Sequence, residues 1–138
     1  MSRMVDLRFL FAVIAAIEGF VAAAGLLTPP SLIVSVTGWS PSDDGLFLVK
    51  VISVALGSQA WAAWTLRRNP DRGVARALAF YQFGAATVLW IMWLAAAGRG
   101  IFSTGLAPLL AGAVVLHYTV GILLVIAIHA QPRADRPA

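Results

Sequence analysis

Four blocks of apolar residues, each about 20 residues long, divide this 138-residue chain. A helix of about 20 residues is about 30 Å long, which matches the hydrocarbon thickness of a bilayer. The chain is 60% hydrophobic and 12% charged, whereas soluble domains are roughly 45–50% apolar and 25% charged. We therefore predict an all-α, polytopic membrane protein with one domain. Its spans should cover residues 7–27, 46–66, 74–97 and 106–129, followed by a basic tail at 130–138.

Proline and glycine residues mark where these helices should begin and end. Pro29 and Pro30 close the first block, and Gly38 can end a short interfacial helix that follows them. The segments at 40–43 and 69–71 have the order of helix starts, with a capping side chain followed by proline and an acidic residue. Short connections of this kind predict an antiparallel four-helix bundle with a short interfacial segment between the first two spans.

The positive charge of the chain is unevenly distributed among the connections. A net charge of +4 could indicate a nucleic-acid partner, but the basic residues cluster at span ends on one side. By the positive-inside rule this places both termini in the cytoplasm, in the inner membrane of a bacterium, and argues against nucleic-acid binding. On the predicted inner side lie Arg3, Arg8, Arg67, Arg68, Arg72, Arg76, Arg133 and Arg136; only Arg99 lies on the outer side, where the first connection carries Asp43 and Asp44.

Glu18 is the only carboxylate inside an apolar block. A charge at this depth costs several kcal/mol unless it is neutralised, paired or hydrated, and it therefore marks a candidate site. Counting 1.5 Å per residue from the predicted inner ends places one strongly polar side chain of each span at a depth of roughly 10–18 Å. This layer could be a hydrogen-bonded staple, a ligand or proton site, or a contact to another subunit. Its members are Glu18, Gln59, Gln82 and His117, flanked by Tyr81 and Tyr118.

Besides Glu18, Lys50 is the charge that lies more than two residues from the end of an apolar block, about four residues inside the outer end of the second span. Its side chain can extend outward to the lipid headgroups or inward to Glu18. An ion pair would keep Glu18 ionised, whereas an unpaired Glu18 would be neutral at pH 7. The sequence is compatible with Lys50 at the headgroups and with a Lys50–Glu18 ion pair.

His117 has a small residue four positions away on either side, Ala113 and Gly121, so a neighbouring backbone or a planar ligand could approach it closely. The sequence predicts no metal site, because Glu18 and His117 supply too few ligands and there is no cysteine. It also contains no Ser-His-Asp set, phosphate-binding loop or paired catalytic carboxylates, and it identifies no cofactor.

Several features resemble the DoxX-like small bacterial membrane proteins. The matching positions are Glu18-Gly19, Pro29 or Pro30, Gly38, Lys50 and Leu56-Gly57. Most such proteins have no assigned activity, and some are linked to quinone or redox complexes, which the resemblance permits here. A glutamate in the first of four spans also resembles the small multidrug resistance transporters, in which that carboxylate exchanges protons for cationic drugs.

Three functional hypotheses follow. The first is an accessory or ligand-binding subunit, embedded in the lipid bilayer, that contacts a small hydrophobic molecule of quinone-like or isoprenoid type and belongs to a homo-oligomer or a larger membrane complex. The second is a small proton-coupled transporter with Glu18 as the exchanging carboxylate. The third is a membrane enzyme that uses Glu18 or His117 as acid or base.

Overall fold

The computed structural model describes residues 6–96 and 99–130, and within these ranges it is helical with no strand. The helices are α1 (Leu7–Leu27), α2 (Pro30–Thr37), α3 (Asp43–Leu66), α4 (Arg72–Ala96) and α5 (Ala107–Ala130), with a 3₁₀ turn at Gly100–Ser103. The prediction of an all-α protein with four long apolar helices is confirmed. Residue 97 of the third predicted span and residues 131–138 of the basic tail lie outside the described residues.

The predicted spans fall on α1, α3, α4 and α5, and the capping residues explain the small differences at their starts. Ser42 Oγ accepts a hydrogen bond from the Gly45 N–H at 3.2 Å, so α3 begins at Asp43 rather than at residue 46. Asp71 Oδ1 accepts one from the Val74 N–H at 2.9 Å, and α4 begins at Arg72 rather than at residue 74. The side-chain caps thus add a turn or less to the apolar blocks.

Helices α1 and α3 approach each other closely because small residues lie between them. A Cβ atom built on Gly19 would lie 3.6 Å from the Cβ of Ala60, and one built on Gly57 would lie 3.6 Å from that of Ala22. At Gly25 there is no room, because the added Cβ would lie 2.0 Å from Ser53 Oγ. Contacts at higher residue numbers in α1 are thus made with lower residue numbers in α3.

Helices α4 and α5 form the second closely packed pair. The Phe83 ring covers Gly121, where an added Cβ would lie 3.1 Å from the ring. Farther along the pair, the Trp93 ring packs against Phe102 of the 3₁₀ turn with 5.5 Å between centroids. The two helix pairs meet chiefly through α1 and α5.

The main buried core lies toward one end of the molecule, where α1 begins, α3 ends, α4 begins and α5 ends. We call this the basic end, since Arg67, Arg68, Arg72 and Arg76 lie there. Its buried side chains come from all four long helices. They are Leu7, Leu10, Phe11, Ile14, Ala15, Ala63, Ala75, Leu78, Ala79, Val120, Leu124, Ala127 and Ile128.

At the opposite end, α2 connects α1 to α3 and buries none of its own residues. Gly38 ends this helix in the left-handed conformation, with φ of 70°. The Gly105 N–H donates to the Thr37 carbonyl at 2.9 Å, which ties the end of α2 to the segment before α5.

Large apolar side chains cover the outer surface of the long helices. Phe20 is 75% exposed, Trp61 70% and Phe80 82%. In water such a surface would favour aggregation, whereas in a bilayer it contacts the lipid tails. Four long apolar helices with this surface are typical of a multi-pass membrane protein.

Substitution of Gly25 tests the close approach of α1 and α3. We expect Gly25→Ala to lower the free energy of unfolding by about 1 kcal/mol or more, because overpacking displaces the buried Ser53 hydroxyl from its 2.7 Å hydrogen bond to Val49 O. Thermal unfolding in detergent measures the effect, and Ser53→Ala in the same chain should reduce it.

The matched control is Gly112→Ala in α5, where an added Cβ has no heavy atom within 4 Å. There alanine should be neutral or stabilising by up to about 1 kcal/mol, through its higher helix propensity. Equal effects of the two substitutions would contradict close packing at Gly25.

Candidate functional site

A hydrogen-bonded set of three side chains joins α1, α4 and α5 in the interior. The Gln82 amide donates from Nε2 to Glu18 Oε1 at 2.7 Å. The Oε1 of Gln82 lies 2.5 Å from Nδ1 of His117. Glu18 and Gln82 are each only 3% exposed, and His117 is partly buried. We call Glu18, Gln82 and His117 the polar bridge.

The amide group of Gln82 sets the direction of both hydrogen bonds. An amide oxygen can only accept, so the Nδ1 of His117 must carry the proton that it donates to Gln82. In a neutral imidazole the other nitrogen, Nε2, then carries the lone pair. Nε2 makes no hydrogen bond to any residue in the described part of the chain. The bridge therefore fixes the tautomer of His117 and leaves Nε2 available to a ligand.

The ring of Tyr81 holds the imidazole from a second direction. The two ring centroids are 6.1 Å apart and the ring planes meet at 85°, an edge-to-face arrangement. Tyr81 directly precedes Gln82 on α4, so this helix contacts His117 through two consecutive residues. The orientation of the imidazole is thus set by a hydrogen bond and by an aromatic contact.

Glu18 is incompletely satisfied within the described residues. Its Oε1 accepts from Gln82, but its buried Oε2 has no hydrogen-bond partner there. A buried carboxyl group without full hydrogen bonding is costly in an apolar interior. Glu18 therefore anchors Gln82 and retains one oxygen that a proton, a small ligand or a partner could occupy.

Tyr118 and Gln59, two further residues of the predicted site, are not members of the polar bridge. The hydroxyl of Tyr118 lies 3.2 Å from Thr87 Oγ1, also between α4 and α5. Gln59 has a buried Oε1 with no partner among the described residues. It belongs to α3, which packs chiefly on α1, whereas the bridge continues into α4 and α5. The structure thus joins three members of the predicted layer by hydrogen bonds, whereas Gln59 makes no hydrogen bond to them.

Lys50 binds the end of α1 rather than a carboxylate. Its Nζ donates to the carbonyl oxygens of Gly25 and Leu26, each at 2.9 Å, and to that of Thr28 at 3.4 Å. In a continuous helix the first two carbonyls would accept from the N–H groups of residues 29 and 30. Both positions are proline and have no N–H. The ammonium group therefore supplies the donors that the two prolines lack.

This position separates Lys50 from Glu18. Gly25 is seven residues beyond Glu18 on α1, roughly 10 Å along the helix axis. The positive charge instead meets the negative end of the α1 dipole, where α1 has no basic residue of its own.

The contact of Lys50 with the end of α1 was missed by sequence reasoning, although two consecutive prolines after an apolar helix indicate carbonyls without a backbone donor. Sequence reasoning also missed the buried Ser53 and the partner of Tyr118, Thr87.

The side chains of the polar bridge are suited to hydrogen bonding with a ligand. The amide N–H of Gln82 is too weakly acidic to pass a proton along the bridge, so its role is positional. His117 can accept a hydrogen bond from a hydroxyl or, when protonated, donate one to a carbonyl. Among residues 6–96 and 99–130, no cluster of three or more potential His, Asp or Glu ligands could hold a metal ion.

Removing the Gln82 amide tests the bridge. We expect Gln82→Leu to lower the free energy of unfolding by about 1–2 kcal/mol, because Glu18 and His117 would each lose a buried partner. The matched control is Gln59→Leu, which loses no hydrogen bond and should be neutral or stabilising. Unfolding in mixed detergent measures both variants, and equal effects would argue against the bridge.

Replacing Lys50 tests its role at the end of α1. Lys50→Met should lower stability by about 1–3 kcal/mol, because the carbonyls of Gly25 and Leu26 would lose their donor. With Pro29 and Pro30 both changed to alanine, backbone N–H groups become available and the same substitution should cost less. A double-mutant cycle in detergent measures this coupling, and an unchanged cost would contradict the replacement of proline donors by Lys50.

No protein-family model, curated protein or solved structure matches this chain. Function is therefore inferred from the geometry of the polar bridge itself.

Proposed function

We propose that this protein is a ligand-binding or accessory subunit of a bacterial inner membrane. In this proposal α1, α3, α4 and α5 cross the bilayer as an antiparallel bundle with both termini in the cytoplasm. The one-sided distribution of arginine supports this orientation. The resemblance to DoxX-like proteins, carried by Glu18-Gly19, Lys50 and Leu56-Gly57, agrees with such a role and with a larger membrane complex.

The ligand that fits the polar bridge is a small hydrophobic molecule with a hydroxyl or carbonyl group, such as a quinone-like or isoprenoid compound. The observation that carries this proposal is the fixed imidazole of His117, whose Nε2 makes no hydrogen bond within the described residues. A polar ligand group could bind this nitrogen while the rest of the molecule contacts apolar surface. Most small-molecule sites combine a few placed polar groups with apolar walls.

The exposure of the three side chains favours ligand binding over proton exchange by Glu18. His117 is only partly buried, whereas Glu18 is 3% exposed and lies behind Gln82. A molecule arriving from the bilayer would meet the imidazole before the carboxyl group. In this proposal Glu18 anchors the amide that orients His117, and Tyr81 supports the ring from the side.

Quinone binding by a His117 variant tests the proposal. We expect decylubiquinone to bind the wild-type protein in detergent and to bind His117→Phe about tenfold more weakly, since one hydrogen bond is worth about 1 kcal/mol or slightly more. The control is Thr119→Val on the same helix, an exposed residue whose hydroxyl bonds only to the Val115 carbonyl; this variant should bind like the wild type. Equal binding by both variants, or no binding by the wild type, would remove the quinone proposal.

Native mass spectrometry of the protein extracted with its lipids supplies the second measurement. A retained small molecule that is lost in His117→Phe would support a ligand site. A stoichiometric protein partner would support the accessory role.

A further inference from the structure

A groove of about 680 Å³ runs between α4 and α5, starting at the basic end and separate from the polar bridge. It is large enough for a sizeable ligand, since small-molecule sites commonly measure about 300–1,000 Å³. We call it the α4–α5 groove. Its lining residues are Arg72, Arg76, Ala79, Phe80, Phe83, Val125, Ile128 and His129.

The lining changes from basic to apolar along the helix axis. On α4, Arg72 and Arg76 come first, followed by Phe80 and Phe83. Phe83 is eleven residues beyond Arg72 on α4, which corresponds to roughly 16 Å of helix, about half of a hydrocarbon core of ~30 Å. The groove therefore has the length and polarity gradient of one lipid leaflet.

The polar end of the groove carries the positive charge of Arg76, which no described residue neutralises. Arg76 is exposed and makes no hydrogen bond or ion pair with the residues that the structure describes. Asp71, the nearest acidic residue in sequence, is engaged by the Val74 N–H as the cap of α4. On the opposite wall, His129 Nδ1 donates to the Val125 carbonyl at 2.8 Å. Its Nε2 therefore donates to a phosphate oxygen when the ring is protonated, and accepts from a headgroup hydroxyl when the ring is neutral.

We propose that the α4–α5 groove binds one anionic phospholipid of the surrounding bilayer. The phosphate lies at the basic end, against Arg76 and His129. One acyl chain follows the apolar walls past Phe80 and Val125 toward Phe83. Charge complementarity selects the anionic headgroup, and the apolar lining accounts for the chain.

Native mass spectrometry of the purified full chain with added lipid tests this site. The probes are phosphatidylglycerol and phosphatidylcholine with identical acyl chains. We expect Arg76→Gln to weaken binding of the first lipid roughly fivefold, the effect of one arginine near a charged surface. Binding of the second lipid should weaken less, because its choline group already balances the charge of the phosphate. The matched control is Arg68→Gln, an exposed arginine at the same end that does not line the groove.

A second pair of variants tests the apolar wall with the charges left in place. Val125→Trp fills the groove and should weaken binding of both lipids, whereas Ile126→Trp, on the next residue and outside the groove, should not. The proposal would be overturned if Arg68→Gln weakened lipid binding as much as Arg76→Gln, and Ile126→Trp as much as Val125→Trp. The lipid would then respond to surface charge or side-chain bulk in general, not to the groove. A change in oligomeric state with unchanged lipid binding would also overturn it and would assign the groove to a second copy.

Discussion

The interior of this protein is apolar, and a polar group that is left there without a partner costs free energy. This constraint explains the contacts that connect the helices. Lys50 binds the carbonyls that Pro29 and Pro30 leave without donors, and it thereby joins the start of α3 to the end of α1. Gln82 binds Glu18 and His117, and it joins the two helix pairs. In both places one side chain satisfies more than one neighbour.

The close contact of Gly25 with Ser53 and the Lys50 hydrogen bonds occur at the same end of the α1–α3 pair. Lys50 precedes Ser53 by three residues, so the two side chains lie one turn apart on α3. The absence of a side chain at Gly25 lets α3 approach, and this approach brings the ammonium within reach of the Gly25 carbonyl. Gly25, the two prolines and Lys50 thus form one structural unit, although Lys50 follows Pro30 by 20 residues and Gly25 by 25.

Much of the fold could be predicted from the sequence, because apolar block length and capping residues are local properties. The site could be predicted only in part. Counting residues along a helix gives depth but not the direction in which a side chain points. Glu18, Gln82 and His117 are hydrogen-bonded, whereas Gln59, which has a similar predicted depth on α3, makes no hydrogen bond to them. The sequence predicts the lipid headgroups or Glu18 as partners of Lys50, but its partners are backbone carbonyls that Pro29 and Pro30 leave without donors.

The main buried core is concentrated toward the basic end, and the polar bridge lies beyond most of it. Toward the opposite end, the two helix pairs have fewer buried apolar side chains between them. The free energy of local opening should therefore be uneven along the helix axes, higher near Phe11 and Leu124 than near Ala22 and Val114. Separation of the pairs at the weaker end would rupture the Glu18–Gln82 hydrogen bond before it disturbed the core. Binding of a ligand at the polar bridge and the distance between the two helix pairs would then be thermodynamically linked.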